Sequence, residues 1–64
     1  MNNNLKEIRR GKGITQTELA KISGVSRTII NQLERGTRDV ITSQTMIKLS
    51  SALNASIEDI FLPN

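Results

Sequence analysis

Helix starts and helix stops alternate so closely along this 64-residue chain that it is cut into about five short helices. The strongest start is ITQTEL. Thr15 can cap, Glu18 can answer it three residues on as a capping box, and Ile14 with Leu19 forms a hydrophobic staple. This predicts a helix from Gln16 to about Ser23. Gly24 then offers the permissive backbone of a tight turn, and Ser26 can cap a further helix running to Arg35, with Gly36 at its exit and Val25 and Ile30 as its staple. Two helices joined by about three residues including a glycine form a helix-turn-helix. Ahead of them, an asparagine of the opening run can cap Leu5 to Lys12, with Leu5 and Ile8 inward and Gly13 closing. Beyond them, Thr42 or Ser43 can start a fourth helix carrying Met46, Leu49 and Leu53, with Ile47 beside them and Asn54 at its exit. Ser56 with Asp59 opens a last turn, Ile57 to Phe61, which Pro63 helps to stop. No stretch shows useful strand alternation, so the expected class is all-α, in one domain spanning residues 1–64.

The composition narrows the chemistry. Without cysteine or histidine there is no thiolate nucleophile and no disulfide, and the commonest metal ligand and acid/base residue are missing. A cytoplasmic protein with no cofactor or metal is expected. The adjacent acids Glu58 and Asp59 do not converge as a catalytic pair, and no nucleophile–base set is available, so no enzymatic activity is expected. Apolar runs of three residues or fewer leave nothing to span or anchor in a membrane. The charge is unevenly distributed. Residues 1–38 carry eight Lys/Arg against three Glu, a balance of +5, whereas residues 39–64 carry one Lys against three acids, −2. A basic first half fits a phosphate-rich partner, although a solvated surface would look the same.

Taken together, IRRGKGITQTELAKISGVSRTIINQLERG resembles the lambda-repressor-like, Cro-type helix-turn-helix family, also called the xenobiotic-response-element family. The marks are GITQTELA, Ala20 at a close helix approach, Gly24 in the turn, SR opening the next helix, and the QLERG exit. The late LNASIEDIF is similar to the family's final helix. The resemblance covers nearly the whole chain. It implies a compact five-helix domain whose helix-turn-helix, about residues 16–35, places the third helix in the DNA major groove. Helical geometry agrees: with Ile30 facing the core, Leu33 lies about 60° away, while Thr28 and Gln32 fall about 160° away, on the outer face.

By the family's positions, Ser26, Arg27, Thr28 and Gln32 are candidate base readers, with Asn31 alongside on base or phosphate. A guanidinium can bond guanine O6 and N7, and a glutamine can bond adenine N6 and N7. For Ser26, capping is the competing role. Gln16 begins the second helix, where free N–H groups and the helix dipole favour a phosphate, and the resemblance implies that use. Arg10, Lys12, Arg35 and Arg38 are candidate phosphate contacts, set against ordinary solvation. Ile29 has two readings: a half-buried flank residue, or an apolar contact with a thymine methyl at the groove edge. The resemblance also pairs Arg9 with Glu34, a structural role.

The loop after Gly36 is about one residue longer than the family habit and lacks its usual proline, which leaves the start of the fourth helix open between Thr42 and Ser43. Ile41 is expected to staple Met46 from the core side. One such module covers one half-site, so the expected partner is double-stranded DNA, as a two-fold operator bound by a weak or DNA-assisted homodimer. Phe61 and Leu62, with Val40, are candidates for the subunit contact, and Phe61 is alternatively simple core. The expected function is a sequence-specific transcriptional regulator, a repressor by family habit. The competing function is a protein-binding module, such as an antitoxin, on the same fold.

Overall fold

The helices begin and end where local hydrogen bonding dictates. A computed structural model describes residues 2–62. It contains α1 (Leu5–Gly11), α2 (Gln16–Ser23), α3 (Arg27–Arg35), α4 (Ser43–Leu53) and α5 (Ile57–Phe61), and no strand among the described residues. Thr15 Oγ1 accepts from the Glu18 N–H and Glu18 Oε1 accepts from the Thr15 N–H, completing the capping box. Ser26, Thr42 and Ser56 cap α3, α4 and α5 through hydroxyl oxygens that accept from Ile29, Thr45 and Asp59. Thr42, rather than Ser43, is thus the residue that opens α4. Gly13, Gly24, Gly36 and Asn54 all take left-handed backbone at the turns that follow α1 to α4. Pro63, expected to help stop α5, lies outside the described residues.

The first helix departs from its expected cap. Asn4 occupies the N-cap position without a side-chain bond to its own helix. Instead, Asn3 Oδ1 accepts from the Leu5 N–H while its Nδ2 donates to the Leu33 carbonyl oxygen at 2.8 Å. Asn4 donates from its backbone to Ile60 O and from Nδ2 to Asp59 O. These asparagines therefore join α1 to α3 and α5.

Each helix contributes to one core made of Leu5, Leu19, Val25, Ile30, Leu33, Leu49, Leu53, Ile60 and Phe61. Ile8, Ile14, Ala20, Ile29, Ile41, Met46 and Ile57 pack against it, half-buried. Helix α2 rests on α3 and α4, α1 on α3 and α5, and α4 on α5. Two side chains with open placements are now assigned. Ile47 is exposed, because with Leu49 and Leu53 inward it falls about 140° from the core direction of α4. Phe61 belongs to the core, which leaves Leu62 and Val40 as the exposed members of the proposed subunit contact.

Ile30 is fully buried and Ile47 is 57% exposed, so trimming one methylene separates them. Ile30→Val should cost about 0.5–1.5 kcal/mol in urea unfolding, whereas Ile47→Val should stay within about 0.5 kcal/mol of the parent. Equal losses would contradict this core.

Candidate nucleic-acid interface

The N-terminal cap, buried stripe and C-terminal turn of α3 fix how its outer face is presented. Ser26 begins the helix, Ile30 and Leu33 anchor it in the core, and Gly36 ends it with a Schellman turn. In that turn the Gly36 N–H donates to Leu33 O and the Thr37 N–H donates to Gln32 O. With the inner stripe locked, Arg27, Thr28, Asn31, Gln32 and Arg35 line one open surface depression on the outer side. Arg27, Thr28 and Arg35 are exposed, and Asn31 and Gln32 are half-buried. Ser26 is exposed at the helix start, where its hydroxyl already accepts from Ile29. Ile29 is half-buried and packed against the core from the flank of this face.

Under this helix lies a charged lock. Arg9 Nε donates to Glu34 Oε2 at 2.6 Å and Arg9 Nη2 donates to Glu34 Oε1 at 3.0 Å. The two side chains are only 11% and 3% exposed. Arg9 Nη1 also donates to Ile14 O, and Gln16 Nε2 donates to Glu34 Oε1 at 3.1 Å. One carboxylate thus joins α1, the start of α2 and the end of α3. Burial alone would raise the Glu34 pKa, but the hydrogen bonds from Arg9 and Gln16 and the charges of Arg9 and Lys6 outweigh it, leaving it below its ordinary value. The Glu34 hydrogen bond, opposed by burial and assisted by the opposite charge, raises the Arg9 pKa.

Gln16 lies at the first turn of α2, half-buried, and its amide is oriented by Glu34. At these positions the amides of Gln16 and Thr17 have no intrahelical acceptor, and Glu18 is already engaged by Thr15. Arg38 reaches back to α3, where its Nη1 donates to Gln32 Oε1 at 2.8 Å. Arg10 and Lys12 are exposed near the end of α1 and do not line the depression. The Arg38–Gln32 and Gln16–Glu34 bonds had no signal in the sequence, because each depends on how separate segments are folded together.

A helix-turn-helix family model matches residues 5–60, nearly all of this fold. The chain belongs to the helix-turn-helix family. Among its relatives in that family of DNA-binding transcriptional regulators, the control protein C.SmaI of Serratia marcescens is 43% identical over 54 residues, 84% of this chain and 63% of that protein. An HTH-type transcriptional regulator of Sinorhizobium fredii, y4dJ, is 38% identical over 94% of this chain and 77% of its own length. The crystal structure of the restriction-modification controller protein C.AhdI from Aeromonas hydrophila superposes with a TM-score of 0.79 at 36% identity. That match covers 88% of this chain and 83% of that one. The helix-turn-helix here is α2, the Gly24 turn and α3, and the depression on α3 faces away from the core.

Two outcomes test the lock beneath this helix-turn-helix. Because the folded pKa of Glu34 lies below its ordinary 4.5, the unfolded chain takes up the proton first. The stabilisation is complete above the unfolded value and is lost as the pH falls through the folded one. The difference in melting temperature between the parent and Glu34→Gln should therefore shrink between pH 7 and pH 3, and an unchanged difference would contradict the lock. Arg9→Lys, which cannot fork onto both oxygens, should lower unfolding free energy by about 1.5–3 kcal/mol at neutral pH.

Proposed function

We propose that this chain is a sequence-specific, double-stranded DNA-binding transcriptional regulator that acts in the cytoplasm and reads the major groove with α3. The observation that carries the reading is the shared depression of Arg27, Thr28, Asn31, Gln32 and Arg35 on a helix locked in place from behind. In this reading Ser26, Arg27, Thr28, Asn31 and Gln32 meet base edges, nearest the start of the helix, as recognition helices do. The hydroxyl of Ser26 accepts from Ile29 and keeps its own proton to donate. Gln16 and the first amides of α2 take one phosphate, and Arg10, Lys12, Arg35 and Arg38 attract the flanking backbone. Ile29 meets the groove edge with its outer side.

The sign of regulation in this proposal is repression, because a domain seated in the major groove excludes other proteins from the same site. Two of the similar proteins are control or controller proteins, which supports a controlling role. The domain works as a weak or DNA-assisted homodimer on a two-fold operator with half-sites roughly 34 Å apart. Leu62 and Val40, 68% and 74% exposed, are the apolar side chains offered for that contact.

Selection from random duplexes, followed by affinity against salt with nonspecific competitor, tests the reading. An enriched motif is expected, and affinity set by salt alone would reject it. Arg27→Ala or Gln32→Ala should cost about 1–3 kcal/mol at the preferred site and flatten one base position. Gln16→Ala should weaken all sequences alike. Ile29→Thr should weaken the preference for one A·T pair; a stability loss with unchanged preference would leave Ile29 as a flank residue only. Sedimentation as a monomer both with and without operator would overturn the dimer.

A further inference from the structure

Gln32 carries both an acceptor and a donor, and the structure commits one of them. Arg38 Nη1 lies 2.8 Å from Gln32 Oε1. A guanidinium has only N–H donors, so the amide atom facing it has to be the oxygen. The contact is built into the turn that ends α3. The Thr37 N–H and Oγ1 both donate to the Gln32 carbonyl oxygen, at 3.0 and 3.3 Å, folding the departing chain back over this residue. Arg38 follows immediately. Both Gln32 and Arg38 are half-buried, and among the described residues no acceptor engages Gln32 Nε2.

We infer that Arg38 is a specificity-determining positioning residue: by drawing Gln32 Oε1 toward the turn after α3 it leaves Nε2 to face the base edge, and makes Gln32 mainly a donor to the base. This rests on the proposed reading of DNA by α3. A bidentate contact to adenine needs the glutamine oxygen for N6–H and the nitrogen for N7. Arg38 takes one of the two lone pairs of that oxygen and sets a guanidinium charge beside it, so the adenine amino donor is disfavoured there. Cytosine presents only an amino donor and is opposed as well. Thymine offers O4, and guanine offers two neighbouring acceptors, O6 and N7, to the two amide hydrogens. The expected selection is therefore for a keto base, guanine before thymine, on the contacted strand.

The test uses the whole chain, with the position read by Gln32 mapped as the one that Gln32→Ala flattens. The parent should prefer guanine or thymine there. Arg38→Ala should shift that same position toward adenine, lowering the guanine-to-adenine affinity ratio by about tenfold, and should leave the other positions unchanged. Arg38→Met, which keeps the aliphatic stem, should do the same and serves if the alanine variant does not fold. In the Gln32→Ala background, Arg38→Ala should change no base preference. Three results overturn the inference: adenine preferred by the parent at this position, a shift at a different position, or an unchanged preference, whether or not the loss of the Arg38 charge weakens all duplexes uniformly. An enriched motif with unaltered preference in the Arg38 variants rejects this inference alone. Failure of the parent to enrich any motif rejects both it and the DNA reading beneath it.

Discussion

A carboxylate with 3% of its side chain exposed has to be hydrogen-bonded on both oxygens or give up its charge, and Glu34 accepts three bonds. Two come from one planar guanidinium, which sets the angle between donor and acceptor as well as the distance. The third comes from Gln16, at the start of α2. The helix that carries the outward-facing depression is thereby tied, at its C-terminal end, to both elements that flank it. Hydrophobic packing is tolerant of rotation, but a forked ion pair is not. Ile30 and Leu33 hold α3 against the core, and the Arg9–Glu34 pair determines where its outer face points.

Most of the helix boundaries were legible because capping is local chemistry. Thr15 with Glu18, Ser26, Thr42 and Ser56 each find an amide three residues away, a distance that no long-range packing has to supply. Gly13, Gly24, Gly36 and Asn54 likewise mark left-handed turns where their residue types can adopt them. What depended on the arrangement of segments was not legible. Asn3 accepts from the Leu5 N–H, as a local cap can, yet its amide also bonds across to Leu33, 30 positions on. The Arg9–Glu34 pair, 25 positions apart, could be expected only through family resemblance. Ile47 stands beside the core residues of α4 in sequence, and helical rotation turns it outward.

The candidate interface divides in the same way. Arg27, Thr28, Asn31, Gln32 and Arg35 share a face because of helical period, which can be counted in any sequence. Their hydrogen-bonding state cannot be counted so. Gln32 in sequence is an amide free to turn either way, and in the fold it is an amide with its oxygen committed to the loop that follows. The same residue type at the same position offers different chemistry once a neighbouring loop leans on it. In the proposed reading, base preference is partly a property of the α3–α4 connection.

The asparagines ahead of α1 give the chain an unusual sensitivity at its beginning. Asn3 supplies a donor to the carbonyl of Leu33, and that oxygen also receives the Gly36 amide that turns the chain out of α3. Asn4 is fastened at the same time to α5, at the adjacent residues Asp59 and Ile60. Asn3 and Asn4 thus work as a clasp, with one arm on the exit of α3 and the other on α5. A change at Asn3 therefore bears on the exit of α3 from a place that looks far removed from the outer face of that helix.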